Sequence, residues 1–451
     1  MSKLNELQRR HNKITYLRHS YQVCEGMLNV EYFFVLNPNV NFCHKVLFHC
    51  EEISAGALSN EQLNLLIFNL GMVELISYFK LSCPQIIEIF PYKISLDEEV
   101  FWKKLYLKGL GEFIFVNQID VQKINDFSFV YHAHSEATKP LHFETDANKA
   151  LIPVGGGKDS VVTLELSKKV SDLDRYLLMV SPIPAAIRCS LASGVEESKY
   201  VTVKRLIDPL LLKMNTEGYL NGHVPFSATI AFISLIASSF IKATHIVLSN
   251  EASANQCNIR YLDMNINHQY SKSVEFESDF RRYVARFICK NAFNYFSFLR
   301  LLSELEISAL FAEMKDYHSE FLSCNRGGRA DHWCGSCPKC LFVAVMVLPF
   351  ISRREVQQIF GKDLLNDSDL SELLNSLAGF GEYKPLECVG TFEEVQHALL
   401  LMKEKYNKPS APLVYNFFNQ HKDLNVSESV VDKEERGRQH FLPPQFAALI
   451  S

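Results

Sequence analysis

The chain predicts an α/β fold built on a doubly wound parallel sheet, and three observations predict it. Beyond residue 145, short apolar runs at residues 150–154, 175–181, 200–204 and 245–249 alternate with segments of helical spacing, among them residues 161–170 and 225–240. Strands that alternate with helices form parallel sheets covered on both faces. The first run meets a glycine-rich segment at once, and a helical segment leaves it. Polar stretches follow the later runs, at the carboxyl ends of strands where open α/β sheets bind their ligands.

A chain of 451 residues suggests two or three domains at roughly 150 residues each. Residues 1–145 mix runs rich in β-formers (32–36, 111–116 and 127–131) with an apolar helical segment at 61–79, and read as an α+β domain. Residues 146–322 read as the alternating α/β domain, with 280–322 read as helical. Residues 323–451 read as a cysteine-bearing, helical and increasingly polar region. The charge run at 432–440 reads as a solvated face.

Hydrophobic residues at 47% and charged residues at 22% describe a globular chain and exclude a disordered one. A formal net charge of −5 lacks the cationic footprint of a nucleic-acid binder. The first ten residues have no apolar secretory core. The apolar stretches at 228–241 and 340–351 fall short of the roughly 18–20 residues of a membrane span. No nucleic-acid or membrane partner is expected, and the expected compartment is the cytoplasm.

The segment Gly155-Gly156-Gly157-Lys158-Asp159-Ser160 lies between a buried strand and a helix. Three glycines let the backbone turn tightly and present amides to an anion, and the helix N-terminus adds its dipole. Ser160 offers a hydroxyl and Lys158 a charge. A Walker A loop needs Ser or Thr after the lysine, and here Asp159 follows Lys158. The glycine spacing also differs from the dinucleotide fingerprint.

Four of the twelve cysteines are bunched: Cys324, Cys334, Cys337 and Cys340. Two Cys-x-x-Cys steps plus one distant cysteine suit a tetrahedral Zn2+, and four thiolates leave no open position, so the expected zinc is structural.

The glycine segment resembles the Ser-Gly-Gly-x-Asp-Ser loop of the PP-loop ATP pyrophosphatase superfamily. Gly156, Gly157, Asp159 and Ser160 match it, and Gly155 stands where that motif has serine. The resemblance implies an adenine nucleotide alpha-hydrolase-like fold and cleavage of ATP to AMP and pyrophosphate. The cysteines resemble the zinc site of 7-cyano-7-deazaguanine synthases, which are also PP-loop enzymes.

Taken with the stretches 221–227, 249–255, 267–273 and 384–390, the order of motifs is similar to the MurL-type UDP-N-acetylmuramoyl-L-alanyl-L-glutamate epimerases. That resemblance implies inversion of the terminal L-Glu of UDP-MurNAc-L-Ala-L-Glu through an acyl-adenylate, with ATP and Mg2+, in peptidoglycan precursor synthesis. It makes His223, His268 and Lys272 candidates for the base, and Glu251 a candidate magnesium ligand or second acid. Arg205, Arg260, Arg281 and Arg300 become candidate partners for the substrate carboxylates and diphosphate. The alternative is another PP-loop enzyme, a synthetase that adenylates a carboxylate for a different nucleophile. The sequence leaves the oligomeric state open.

Overall fold

The computed structural model describes residues 2–133, 140–290, 293–424 and 440–450, so residues 432–439 of the charge run lie outside it. Twelve strands occur among these residues: β1 (Lys13–Cys24), β2 (Met27–Leu36), β3 (Val40–His49), β4 (Ile86–Ile89), β5 (Ser128–Tyr131), β6 (Asp146–Pro153), β7 (Asp174–Val180), β8 (Tyr200–Leu206), β9 (Ala243–Leu248), β10 (Ile259–Tyr261), β11 (Met264–Ile266) and β12 (Asn294–Ser297). Ten of them form one sheet in the order β12-β9-β6-β7-β8-β3-β2-β1-β4-β5, and β10 and β11 form a separate hairpin.

The strands β12, β9, β6, β7 and β8 are mutually parallel. Their order is that of a doubly wound half-sheet. Both faces are covered, because side chains alternate across a strand. Leu151, Tyr176, Leu178, Val201, Val203 and Ile246 enter one core, beneath helices Asn60–Glu74 and Phe226–Ile241. Ala150, Ile152, Leu177, Met179 and Val247 enter the other, beneath Lys158–Ser167, Glu304–Ala312 and Pro338–Val347.

The N-terminal strands extend the same sheet. β3 pairs antiparallel with β8, and β3, β2 and β1 form an antiparallel meander. β4 and β5 add to it in parallel. In β2 every second residue from Leu28 to Leu36 is fully buried, so the pleat presents one face to the core.

The join at β3 and β8 holds a buried charge cluster. Arg205, on β8, donates to both carboxylate oxygens of Glu74, 2.7 Å from Nε to Oε1, and His44 Nε2 lies 3.3 Å from Glu74 Oε2. Burial alone would raise the Glu74 carboxyl, but Arg205 and His44 outweigh it and hold the group well below the usual carboxylate range.

Two secondary-structure expectations are corrected. Gly111–Val116 is a helix, not a strand, and follows directly on helix Leu96–Gly109. Its Phe113 and Ile114 are fully buried, so packing overrides the β-preference of its residues. The segment 280–322 contains β12, whose four residues are too few to show a period. Residues Asn60–Phe79 are long and apolar enough to cross a membrane by length and composition, but 89% of that window is buried inside the protein.

Replacing Glu74 by Gln would leave the Arg205 guanidinium buried without its partner. The expected loss is about 3–5 kcal/mol of unfolding free energy, read from the denaturant midpoint. A loss within the roughly 0–1 kcal/mol of a surface pair would show that this cluster does not hold the junction together.

Candidate active site

The order of the parallel strands reverses between β6 and β9, so the loops after these two strands diverge and leave a crevice at their carboxyl ends. A cleft of about 200 Å³ lies there, lined by Gly155, Asp159 and Ser160 after β6, Ser249 and Asn250 after β9, and Ser227 and Lys272.

The glycine loop has the shape of an anion cradle. Gly156 adopts φ +84°, and a Cβ there would lie 2.6 Å from the Ala186 backbone nitrogen, so the position requires glycine. Gly157 is the extended N-cap of helix Lys158–Ser167 and leaves the first-turn amides without intrahelical partners. Ser160 Oγ accepts from the Gly155 N–H at 3.2 Å, which folds the loop over its own helix end.

Lys158 turns away from the cleft. Its side chain is 2% exposed and pairs with Asp159 at 2.5 Å and with Glu304. Burial alone would lower its pKa, but the two carboxylates outweigh that and raise it. Asp159 is held below its ordinary range, because Lys158, Lys339 and Lys272 overcome the cost of burial. Glu304 is pushed up to about 7 by burial, with repulsion from Asp159 and Glu251 adding to it. Lys158 thus fixes Asp159, and Asp159 faces the cleft.

A second charged group adjoins the first through Lys272. Its Nζ lies 3.5 Å from Cys388 Sγ, and it lines the cleft as well. Burial opposes its charge, but Cys388, Glu251 and Asp159 raise its pKa. Burial alone would raise the Cys388 thiol, yet Lys272 and His268 pull it down to about 6. His268 is bonded at Nδ1 to Glu112, and its interactions with Cys388 and Glu112 overcome burial to push it up to about 9. The His223 ring lies 4.4 Å from the His268 ring, centroid to centroid. Burial and the neighbouring His268 push His223 down to about 4. Lys80, which donates to Asn221 Oδ1 at 2.9 Å and the Gly222 carbonyl at 2.8 Å, supports the loop that carries His223.

The structure therefore brings together Asp159, Ser160, Lys272, His268 and His223. Glu251 is buried within electrostatic reach of Lys272 and Glu304, and its carbonyl accepts from Arg300 at 2.7 Å. Three of the four arginines serve the interior. Arg300 also donates to the Lys272 carbonyl and to Glu277, Arg205 is paired with Glu74, and Arg281 donates to the Tyr295 carbonyl at 2.6 Å. Arg260 is exposed on β10. Sequence reasoning missed Glu112, Glu304, Lys339 and Cys388. Glu112 was hidden by reading its helix as a strand, and a single cysteine has no spacing to reveal it.

The four clustered cysteines meet as well. Cys324 and Cys337 Sγ are 3.9 Å apart, Cys334 and Cys340 3.7 Å, and Cys337 and Cys340 3.4 Å. Four thiolates at about 2.3 Å from one tetrahedral ion lie about 3.8 Å apart, so the set fits zinc. Gly335 takes φ +61° in the turn between ligands. Amides of Gly327 and Cys334 donate to Cys324 Sγ, as amides do to thiolates at such centres. His332 is exposed.

The family model described as the MurL N-terminal domain matches residues 5–298, and that described as the MurL C-terminal domain matches residues 320–431. The chain belongs to the MurL family. The protein named UDP-N-acetyl-alpha-D-muramoyl-L-alanyl-L-glutamate epimerase from Salinispora tropica is 35% identical over 75% of this chain and 73% of its own length. The protein of the same name from a Micromonospora species is 32% identical over 85% of each chain, and that from Xanthomonas oryzae pv. oryzae 32% over 74% of each. No solved structure matches. In MurL terms the site is shared. The glycine loop, Glu112, His223, His268 and Lys272 come from the N-terminal match, and Lys339 and Cys388 from the C-terminal one.

Gly156→Ala tests the loop. A left-handed φ and contact with backbone atoms of Ala185 and Ala186 leave an added methyl no room. Strain of this kind costs on the order of 1–3 kcal/mol, so the melting temperature is expected to fall. An unchanged melting temperature would mean that the loop shifts freely, which this packing forbids.

Proposed function

We propose that this chain is an ATP-dependent epimerase that converts the terminal L-Glu of UDP-MurNAc-L-Ala-L-Glu to D-Glu in cytoplasmic peptidoglycan precursor synthesis. The reading takes the activated species to be an acyl-adenylate, with AMP and pyrophosphate as the other products. Its main support is one juxtaposition: a glycine loop shaped for phosphate at the sheet switch point, joined through Lys272 to a buried cluster of titratable side chains. The names of the MurL relatives supply the substrate.

The chemistry explains why both parts are needed. The α-proton beside an ionised carboxylate is barely acidic, because its removal would place two negative charges on adjacent atoms. Converting the carboxylate to an acyl-adenylate removes one charge and lets the electron pair pass into the carbonyl as an enolate. The loop amides, the helix end and the Ser160 hydroxyl would hold the departing pyrophosphate. Lys272 would face the carboxylate and the enolate oxygen in turn.

Magnesium takes oxygen ligands and neutralises phosphate charge. Asp159 fits that need, since it lines the cleft while Lys158 holds its Oδ1, and Glu251, buried within electrostatic reach of Lys272, is a second candidate. The four-thiolate centre fits a structural zinc and takes no part in the reaction. A PP-loop synthetase would share the adenylation and differ in requiring ammonia or a sulfur donor.

Incubation with UDP-MurNAc-L-Ala-L-Glu, ATP and magnesium is expected to give AMP, pyrophosphate and D-glutamate. Ser160→Ala and Asp159→Asn are each expected to lower turnover at least about 100-fold with the fold retained. ADP as the product would defeat the reading, and AMP formed without D-glutamate would favour the synthetase.

Freshly purified protein is expected to hold one equivalent of zinc, measured by elemental analysis. Because metal binding at such a site is folding energy, Cys337→Ser should lower the melting temperature and release the metal. Active protein free of zinc would exclude a structural ion.

A further inference from the structure

Cys388 belongs to the Lys272 cluster and lies outside both the glycine loop and the four-cysteine centre. Its Sγ accepts from Lys272 Nζ at 3.5 Å and also faces the His268 ring. Its backbone is fixed, because Lys339 Nζ donates to the Cys388 carbonyl while the Lys339 amide donates to Glu387 at 3.0 Å. Lys272 reaches from the phosphate cleft to this sulfur. The α-carbon of a glutamyl group is one bond from the carboxyl carbon that would be adenylated in that cleft. Cys388 thus lies directly behind a side chain that lines the cleft, next to where that carbon would be held.

We propose that Cys388 is the base that removes the α-proton of the activated glutamyl residue, positioned by Lys272 and by the His268–Glu112 pair. The proposal rests on the epimerase reading above. In the step, the Cα–H bond breaks, an S–H bond forms, and the C–H electron pair moves into the carbonyl to give the enolate. Water on the opposite face returns a proton to Cα as the electron pair comes back from oxygen. The hydroxide left behind is neutralised by the proton that the thiol then releases, so the cysteine ends as a thiolate.

The neighbouring groups fit supporting roles better. Lys272 and His268 are both held protonated, by Cys388 together with Glu251 and Asp159 in one case and with Glu112 in the other. They can stabilise negative charge and cannot accept a proton near neutrality. His223 is neutral, but at about 4 it is a poor base. Cys388, at about 6, is a thiolate at neutral pH and lies close to the working pH of a general base. The charged groups facing it are Lys272, His268 and Lys339.

The test is the reaction in deuterated water with UDP-MurNAc-L-Ala-L-Glu, ATP and magnesium, comparing the parent with Cys388→Ser. D-glutamate formation and deuterium entry at Cα should both fall at least about 100-fold, well beyond any fall in AMP release; a parallel fall in all three would show that the cysteine only holds Lys272 and would overturn the proposal. D-glutamate formation and deuterium entry at near-parent rates in Cys388→Ser would overturn the proposal. Absence of AMP from the parent enzyme is a different result, and it would sink the epimerase reading itself. A second measurement does not depend on the variant folding: iodoacetamide alkylation of the Cys388 peptide in the parent protein, followed by mass spectrometry across pH. The expected midpoint is near pH 6. A midpoint at the ordinary thiol value of about 8.5 would leave no poised thiolate and would overturn the assignment.

Discussion

An ammonium removed from water is costly unless anions surround it, and the Lys272 ammonium is surrounded by three. Cys388, Glu251 and Asp159 come from three separate segments of the chain, and each is held near Lys272 by other bonds. Arg300 ties the Glu251 and Lys272 backbones together. Lys158 fixes Asp159 from the glycine loop. Lys339 fixes Cys388 from the helix that starts at the cysteine cluster. The buried charge thus orders the whole site, because removing any of the anions would leave the lysine undercompensated.

The sheet makes this convergence possible. Its parallel half supplies the switch point, and its antiparallel half is continuous with it through β3 and β8. Glu112 comes from the N-terminal part of the chain, yet it sits within bonding distance of His268. The buried Glu74–Arg205 pair stabilises the join between the two parts. The N-terminal extension is therefore part of the site and supplies one of its carboxylates.

What was legible in the sequence was local. The loop at Gly155–Ser160, the strands around it and the Cys-x-x-Cys steps are set by short-range backbone needs, and residue order displays those needs directly. What was not legible depended on distance. Lys272 and Cys388 are 116 positions apart, and no periodicity links them. Lys158 reads as a phosphate ligand until Glu304, 146 positions away, is seen to draw it into the core. Arg205, Arg281 and Arg300 read as substrate clamps, because an arginine's partners cannot be read from its own neighbourhood. The helix at Gly111–Val116 was misread for a related reason: its residues favour strands, and only its packing makes it helical.

The arrangement of charge also bears on how one cleft could serve two steps of opposite demand. Activating a carboxylate needs positive charge to gather anions together. Removing an α-proton needs a negatively charged or neutral base close by. On the proposed reading, Lys272 serves the first and holds the Cys388 sulfur as the thiolate that serves the second. On that reading, pairing Lys272 with the Cys388 sulfur would meet both demands. The pair is nearly neutral from a distance, yet each member keeps its own charge at short range. His268 extends the same logic, because Glu112, bonded at its Nδ1, compensates its charge. The depressed basicity of His223 comes first from burial and then from the same field: with His268, Lys80 and Lys272 nearby, a second imidazolium there would be one cation too many.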